Sequence, residues 1–267
     1  MRRYTIFHLP VLSFYSKALY RDVALRWTGI GLGWLILLEA ICWAMIMVKL
    51  HLAVAPVIDY LDDKLLSQIP KITISKGVAA VDVEQPCLIR YPDSQMTLGL
   101  IDTRETPDKQ AEDKEILFVL KRREFIVNQS NQAKSDVYSL AKIDSLVLTK
   151  ETFHFWTMLT KKLFALLAYP FILLGAVIFR AVSMQVYALI GKGICSMVGY
   201  GLDYSALLRL AVVAATPVIL IETGLDLCGI DLSWWILWPI AFLLTTALLG
   251  YGIHAAEPES ETPPPMA

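Results

Sequence analysis

Apolar residues run almost unbroken from Trp27 to Val48, and Glu39 is the one charged position among those 22 residues. At about 1.5 Å per residue a helix of that length covers about 33 Å, enough to cross a bilayer core, so a first transmembrane helix is predicted over residues 27–48. Ala53-Val54-Ala55 has the small residues of a signal-peptide cleavage site. The apolar run nevertheless exceeds the roughly 7–15 residues of a signal-peptide core, and it reads as an uncleaved anchor. Leu163–Phe179 and Trp234–Ile253 are two further uncharged runs of spanning length. Leu207–Leu225 is a fourth, because Arg209 and Glu222 lie close enough to its ends to reach the interface. Between them, Ala181–Tyr200 carries a partial helical stripe interrupted by Arg180, Gln185 and Lys192. That pattern fits either a fifth span or a helix on the membrane surface.

Residues 49–160 have a different texture. Val57, Ile58, Leu61, Leu65 and Leu66 recur at helical spacing and predict an amphipathic connector ended by Pro70. Short β-branched runs follow at Lys71–Ser75, Val78–Glu84, Cys87–Tyr91, Thr97–Asp102, Ile116–Leu120 and Glu124–Asn128, broken by Gly77, Pro86, Pro92 and a polar stretch over Thr103–Lys114. They read as an antiparallel sheet, with Lys121-Arg122-Arg123 as a solvated hairpin turn instead of a phosphate site. The fold class is thus a membrane α-helical bundle of four or five spans carrying an inserted α+β, mainly antiparallel β, extracytoplasmic domain. Its parts are an interfacial segment 1–26, a first span 27–48, the inserted domain 49–160, a helical group 161–254 and a tail 255–267.

Composition sharpens this reading. Hydrophobic residues make up 56% of the chain and charged ones 18%, with a mean hydropathy of +0.53, outside the range of ordinary soluble proteins. The net charge of −1 gives no reason to expect nucleic acid as a partner. Arg2, Arg3, Lys17, Arg21 and Arg26 are interleaved with Phe7, Phe14, Tyr15 and Tyr20 ahead of the first span, as in a basic segment at the cytoplasmic membrane surface. With four spans, Arg180, Lys192 and Arg209 join them inside, against Lys49, Lys150, Lys161 and Lys162 outside. Both termini are therefore expected in the cytoplasm of a bacterial cell, with a multi-pass chain in its inner membrane. The Glu- and Pro-rich tail cannot bury apolar surface and is expected to be disordered. Cys87 is the one cysteine in the polar region, so the inserted domain is expected to fold without a disulfide.

Several local runs together resemble a bacterial family of integral membrane proteins, a domain-of-unknown-function family in which some members are labelled maltodextrin-utilisation proteins. They are the aromatic lead from Phe14-Tyr15 to Tyr20, Ile69-Pro70 with Ile72 and Ile74 before Lys76-Gly77, Ile101-Asp102-Thr103, and the stretch from Tyr204 to Thr216-Pro217. The resemblance implies a first helix, a large extracytoplasmic insertion and a terminal helical group. It implies no catalytic residues, and the sugar label is not carried to this chain. The acidic, proline-rich tail has no counterpart in that layout.

No phosphate-binding loop, paired CxxC, HExxH or G-x-S-x-G is present, so no catalytic, metal or cofactor residue is nominated. His8, His51, His154 and His254 lie at helix boundaries and read as interface residues. Asn128-Gln129-Ser130 matches a glycosylation acceptor and is set aside as uninformative in a bacterial setting. Glu39 is the most telling residue, because a carboxylate at the bilayer centre costs roughly 2.5 kcal/mol or more. It should face protein, with Lys192 or the hydroxyls of Thr216, Thr245 and Thr246 as candidate partners. Lys192 and Glu222 complete the intramembrane polar candidates. Pro170, Pro217 and Pro239 fall inside the later spans and read as packed kinks. The expected function is non-enzymatic: an envelope protein whose outer domain binds a partner protein or small ligand, the lipid bilayer holding its helical part. The alternative is a transporter or transport accessory subunit using Glu39.

Overall fold

A computed structural model describes residues 3–29, 31–92, 94, 96–105, 116–128 and 135–257. Most of the Thr103–Lys114 stretch, Gln129-Ser130 and the tail from residue 258 lie outside the described residues. The chain divides into two compact units, one formed by residues 1–50 and 165–267, the other by residues 51–164.

The first unit opens with two short helices, α1 (Leu9–Leu12) and α2 (Lys17–Arg26). Ser16 caps α2, its hydroxyl accepting from the Leu19 amide at 3.3 Å. Leu9, Leu19, Tyr20 and Val23 are fully buried, so this segment packs into the helical unit instead of lying free along a surface. α2 packs on α6 where Gly252 leaves room for the Tyr20 ring. Burial, and then the neighbouring Tyr251, pushes the Tyr20 hydroxyl upward, keeping it protonated as the donor to the Ser13 carbonyl at 2.7 Å.

The first long helix, α3, spans Leu32–Lys64. It starts five residues later than the hydropathy run predicts, because Gly29 and Gly31 take positive φ values of 83° and 78° and open a non-helical link after Trp27. It also absorbs the connector expected as a separate helix: Pro56 sits inside it, sacrificing one backbone bond while its fixed φ suits the helix. α4 spans Lys150–Val198, 49 residues or about 73 Å. No Gly or Pro falls between Gly175 and Gly191, so the chain does not turn near Arg180. The stretch 181–200 is therefore the continuation of one helix and not a separate fifth span. α5 (Tyr204–Cys228) ends at Gly229, whose φ of 74° closes the helix, and α6 (Trp234–Ala256) returns. Pro170, Pro217 and Pro239 lie inside α4, α5 and α6, and each helix continues through its proline. Among the described residues four helices are long and apolar enough to cross a membrane.

α5 is the centre of this unit, buried without interruption from Ala206 to Ile219. α3 runs parallel to it: the Trp34 indole donates to Thr216 Oγ1 at 3.0 Å, and further along the Lys49 ammonium reaches the Asp226 carbonyl. α4 runs the opposite way, with Arg180 beside Glu222 and Gly191 against Leu207. α6 follows α4, pairing Phe179 with Trp238 and Tyr187 with Phe242.

Among its described residues the second unit holds eight strands: β1 (Ile72–Ser75), β2 (Val78–Val81), β3 (Cys87–Arg90), β4 (Thr97–Asp102), β5 (Phe118–Lys121), β6 (Glu124–Asn128), β7 (Ser135–Ser139) and β8 (Ser145–Leu148). They form a three-stranded sheet in the order β2-β1-β8 and a five-stranded sheet in the order β3-β4-β5-β6-β7. Lys76 and Gly77, both with positive φ, make the two-residue turn between β1 and β2, matching the twist of a hairpin. All pairings are antiparallel except β4 with β5, which is parallel and departs from the expected hairpin series. Arg122 and Arg123 form the β5–β6 turn, and their carbonyls accept from Ala79 and Leu140. β4 lies inside its sheet and carries Leu100 into one apolar cluster and Ile101 into another. At its end Asp102 is fully buried and takes two bonds from the Arg104 guanidinium, both at 2.8 Å.

Candidate functional site

Glu39 falls on the face of α3 turned toward α4 and α5 and is 3% exposed. The Trp43 indole, one turn further along the same helix, donates to its Oε2 at 3.0 Å. Arg180 Nε stands 3.2 Å from its Oε1, close enough for an ion pair, but with no hydrogen bond aligned on that buried oxygen. The same guanidinium turns its outer nitrogen to Glu222 of α5. One cation on α4 thus serves two carboxylates, one from α3 and one from α5, and the buried Glu39 Oε1 accepts no aligned hydrogen bond. A buried charge survives only when paired, and Arg180 supplies the pairing that the Glu39 position demands.

The candidates named from the sequence divide accordingly. Glu39 and Glu222 come together on Arg180. Lys192 does not join them: it is exposed, and it lies 12 positions beyond Arg180, about 18 Å along α4. Thr216 accepts from Trp34 and donates to the Val212 carbonyl, and Thr246 donates to the Phe242 carbonyl, so neither supports Glu39. Thr245 is buried on α6. Sequence reasoning missed Arg180, read as a flanking charge, and Trp43, whose i+4 spacing from Glu39 was available as a signal.

Beside the ion pairs lies a cavity of about 450 Å³ between α4, α5 and α6. Phe179, Tyr187, Trp238 and Phe242 make its walls, while Arg180, Glu222, Asp226 and Asp231 gather on its lining. On that lining three carboxylates stand against one cation. This is the size and character of a small-molecule site, mostly apolar with a few convergent polar groups.

Arg209, expected to reach outward from the start of its span, is buried instead. Its guanidinium donates to the carbonyls of Val23 at 3.2 Å, Ala24 at 3.1 Å and Gly29 at 2.8 Å, tying the C-terminal end of α2 to α5. Asp22 anchors the other side of α2: its carboxylate accepts from the Arg3 and Tyr4 amides and from the Trp27 indole at 3.0 Å. Burial works to raise its pKa, but the Trp27 and backbone hydrogen bonds and the Arg26 charge outweigh it and hold the group below the usual value.

In the second unit, His154 Nδ1 meets Asp62 at 2.5 Å and the Lys161 ammonium meets Asp59 at 2.6 Å, so His154, expected at an interface, and Lys161, expected as an outer charge, are both paired with carboxylates of α3. Among the described residues no three of His, Cys, Asp and Glu are grouped to hold a metal ion. All four cysteines are free thiols, and burial pushes the Cys87 thiol up.

A family described as protein of unknown function (DUF1189) matches residues 7–249. No curated protein and no solved structure matches the chain.

Proposed function

The chain belongs to this DUF1189 family, and from that premise we propose a multi-pass protein of the bacterial inner membrane, both termini cytoplasmic, that binds a small positively charged solute in its helical unit without catalysing a reaction. The observation carrying this reading is the sharing of Arg180 between Glu39 and Glu222 at the edge of an aromatic-walled cavity. The surplus of carboxylates favours a cation, and the Trp238 and Phe242 rings add cation–π attraction. Transport, or service to a transporter, is the use that fits a site between spanning helices. The most apolar stretch of α4 buries none of its residues, which supports lipid around this unit.

Thermal stability of the detergent-purified chain, measured against tetramethylammonium and a series of primary amines, tests the proposal. Wild type should be stabilised by several degrees, and Glu39→Gln and Glu222→Gln should lose that response while remaining folded. Absence of any cation-dependent stabilisation in wild type would remove the reading.

A second reading keeps the outer domain as the binding element. β7 is an edge strand on which Val137 and Tyr138 are each 57% exposed, a row suited to pairing with an extended segment of a partner protein. A photo-crosslinker at Tyr138, compared with one at Lys142, would distinguish a partner seated on this edge from one that is not.

A further inference from the structure

The cavity beside Arg180 carries a charge pattern finer than its sign. Three carboxylates, Glu222, Asp226 and Asp231, line it against the single Arg180 guanidinium, an excess of two negative charges. Glu39 and Lys49 of α3, which meet Arg180 and the Asp226 carbonyl, bring one charge of each sign and leave that excess unchanged. The carboxylates are not equivalent. Glu222 is paired with Arg180, whereas the Asp226 and Asp231 side chains are exposed and have no hydrogen bond or ion pair among the described residues.

Their spacing decides what can neutralise them. Glu222 and Asp226 stand one turn apart on α5, about 6 Å along its axis. Asp231 lies beyond Gly229, whose φ of 74° ends α5 and turns the chain toward α6. Carboxylates so dispersed do not close on a point. A magnesium or calcium ion needs its oxygens within about 2.0–2.6 Å, and among the described residues no three of His, Cys, Asp and Glu are grouped to hold a metal ion. The wall between α4 and α6 is aromatic, with Phe179 against Trp238 at 5.9 Å between ring centroids and Tyr187 against Phe242 at 5.7 Å. Such rings pack against methylene groups and attract ammonium.

We infer that the cavity takes a linear dication, two ammonium groups joined by a short methylene chain, in preference to a monovalent amine. One ammonium meets Glu222, while Arg180 retains Glu39 as its second partner. The other meets Asp226 and Asp231, and the chain between them runs along Phe179 and Trp238. Two charges on the ligand match the two in excess on the lining. Their separation matches carboxylates about 6 Å apart, a distance that about four methylene groups span. A monovalent cation, however well the rings hold it, leaves one carboxylate uncompensated. The inference rests on the cation-binding reading of this cavity and adds to it the valence and length of the solute.

Melting of the detergent-purified full chain against concentration series of putrescine, butylamine, tetramethylammonium and magnesium, at matched ionic strength, tests this. Putrescine should bind about tenfold more tightly than butylamine, the worth of one further charge-assisted hydrogen bond. Magnesium should give no comparable shift. Asp226→Asn with Asp231→Asn should bring the putrescine-to-butylamine ratio to about one, and Asp231→Asn alone, in the link between the two helices, should lower it part of the way. Both side chains are exposed and unbonded, so the unliganded variants should melt as wild type does. Equal affinity for putrescine and butylamine, an unchanged ratio in the double variant, or a magnesium shift equal to that of putrescine would each overturn the inference and leave the cation site standing. No response to any amine or to tetramethylammonium would remove both.

Discussion

Replacing Arg180 with Met removes the cation shared by Glu39 and Glu222 while keeping most of the side-chain volume. Breaking a buried ion pair by deleting one partner costs about 3–5 kcal/mol, because the remaining charge stays buried without compensation. Arg180 and Glu222 are 23% and 21% exposed at their side chains whereas Glu39 is 4% exposed, so the low end, about 3 kcal/mol, applies. For a chain of this size each kcal/mol moves the melting temperature by about 2–4 °C, which gives a fall of about 6–12 °C. Tryptophan fluorescence of the detergent-purified protein during heating reads this directly. The decisive comparison is the double variant Arg180→Met with Glu39→Gln, in which the stranded charge is gone. It should recover at least half of the loss, and a well-packed Arg180→Met with Glu39→Leu should recover more. If the losses simply add, so that Glu39→Gln subtracts from Arg180→Met instead of rescuing it, Glu39 and Arg180 do not form an energetic unit and the reasoning about the site is wrong.

Three other outcomes are expected. Gly252→Ala should destabilise the helical unit by about 1–3 kcal/mol in the same melting assay, because the new Cβ would stand 2.6 Å from a fully buried Tyr20 ring whose hydroxyl is already bonded to Ser13. Asp22 titrates below its ordinary value of 3.8, so its contribution is present above about pH 4 and lost as the pH falls through the folded value; melting temperature should drop as the pH is lowered below about 4 in wild type, and Asp22→Asn should be less stable at pH 7 with a flatter profile in that acid range. A reporter fused after Glu105 should behave as extracytoplasmic and one at the C-terminus as cytoplasmic, and a cytoplasmic signal at Glu105 would invert the proposed orientation.

The sheet strands from β1 to β6 were readable because each has apolar residues at the spacing of a buried face and a Gly, Pro or polar break at its end. β7 was not, since Ser135-Asp136-Val137-Tyr138-Ser139 is an edge strand with little buried on either side, and exposure leaves no alternation to detect. β8 abuts α4 and merges with its apolar lead. The parallel pairing of β4 and β5 depends on the path of the chain between them, which carries no local signature. In the helical unit the demand for a partner to Glu39 was legible from one charge in an apolar run. The identity of that partner was not, because a hydropathy window ending at Phe179 turns Arg180 into a flank. The helix in fact continues 18 residues beyond it, to Val198.

That misreading bears on the orientation argument itself. Counting Lys and Arg by side assumes that each is solvated and free to meet the field at the membrane surface. Arg209 is buried on three backbone carbonyls and Arg180 is held between two carboxylates, so both leave the tally of eight assigned to the cytoplasm. Arg26 leaves with them, because it is paired with Asp22. On the opposite side the Lys49 ammonium bonds the Asp226 carbonyl and Lys161 pairs with Asp59, which leaves Lys150 and Lys162. Partnered cations thus occur in both groups, and a count that ignores their partners overstates each. The basic residues that favour a cytoplasmic N-terminus are concentrated ahead of α3. The parallel course of α3 and α5, with α4 and α6 reversed, is the alternation of direction that four consecutive spans would require.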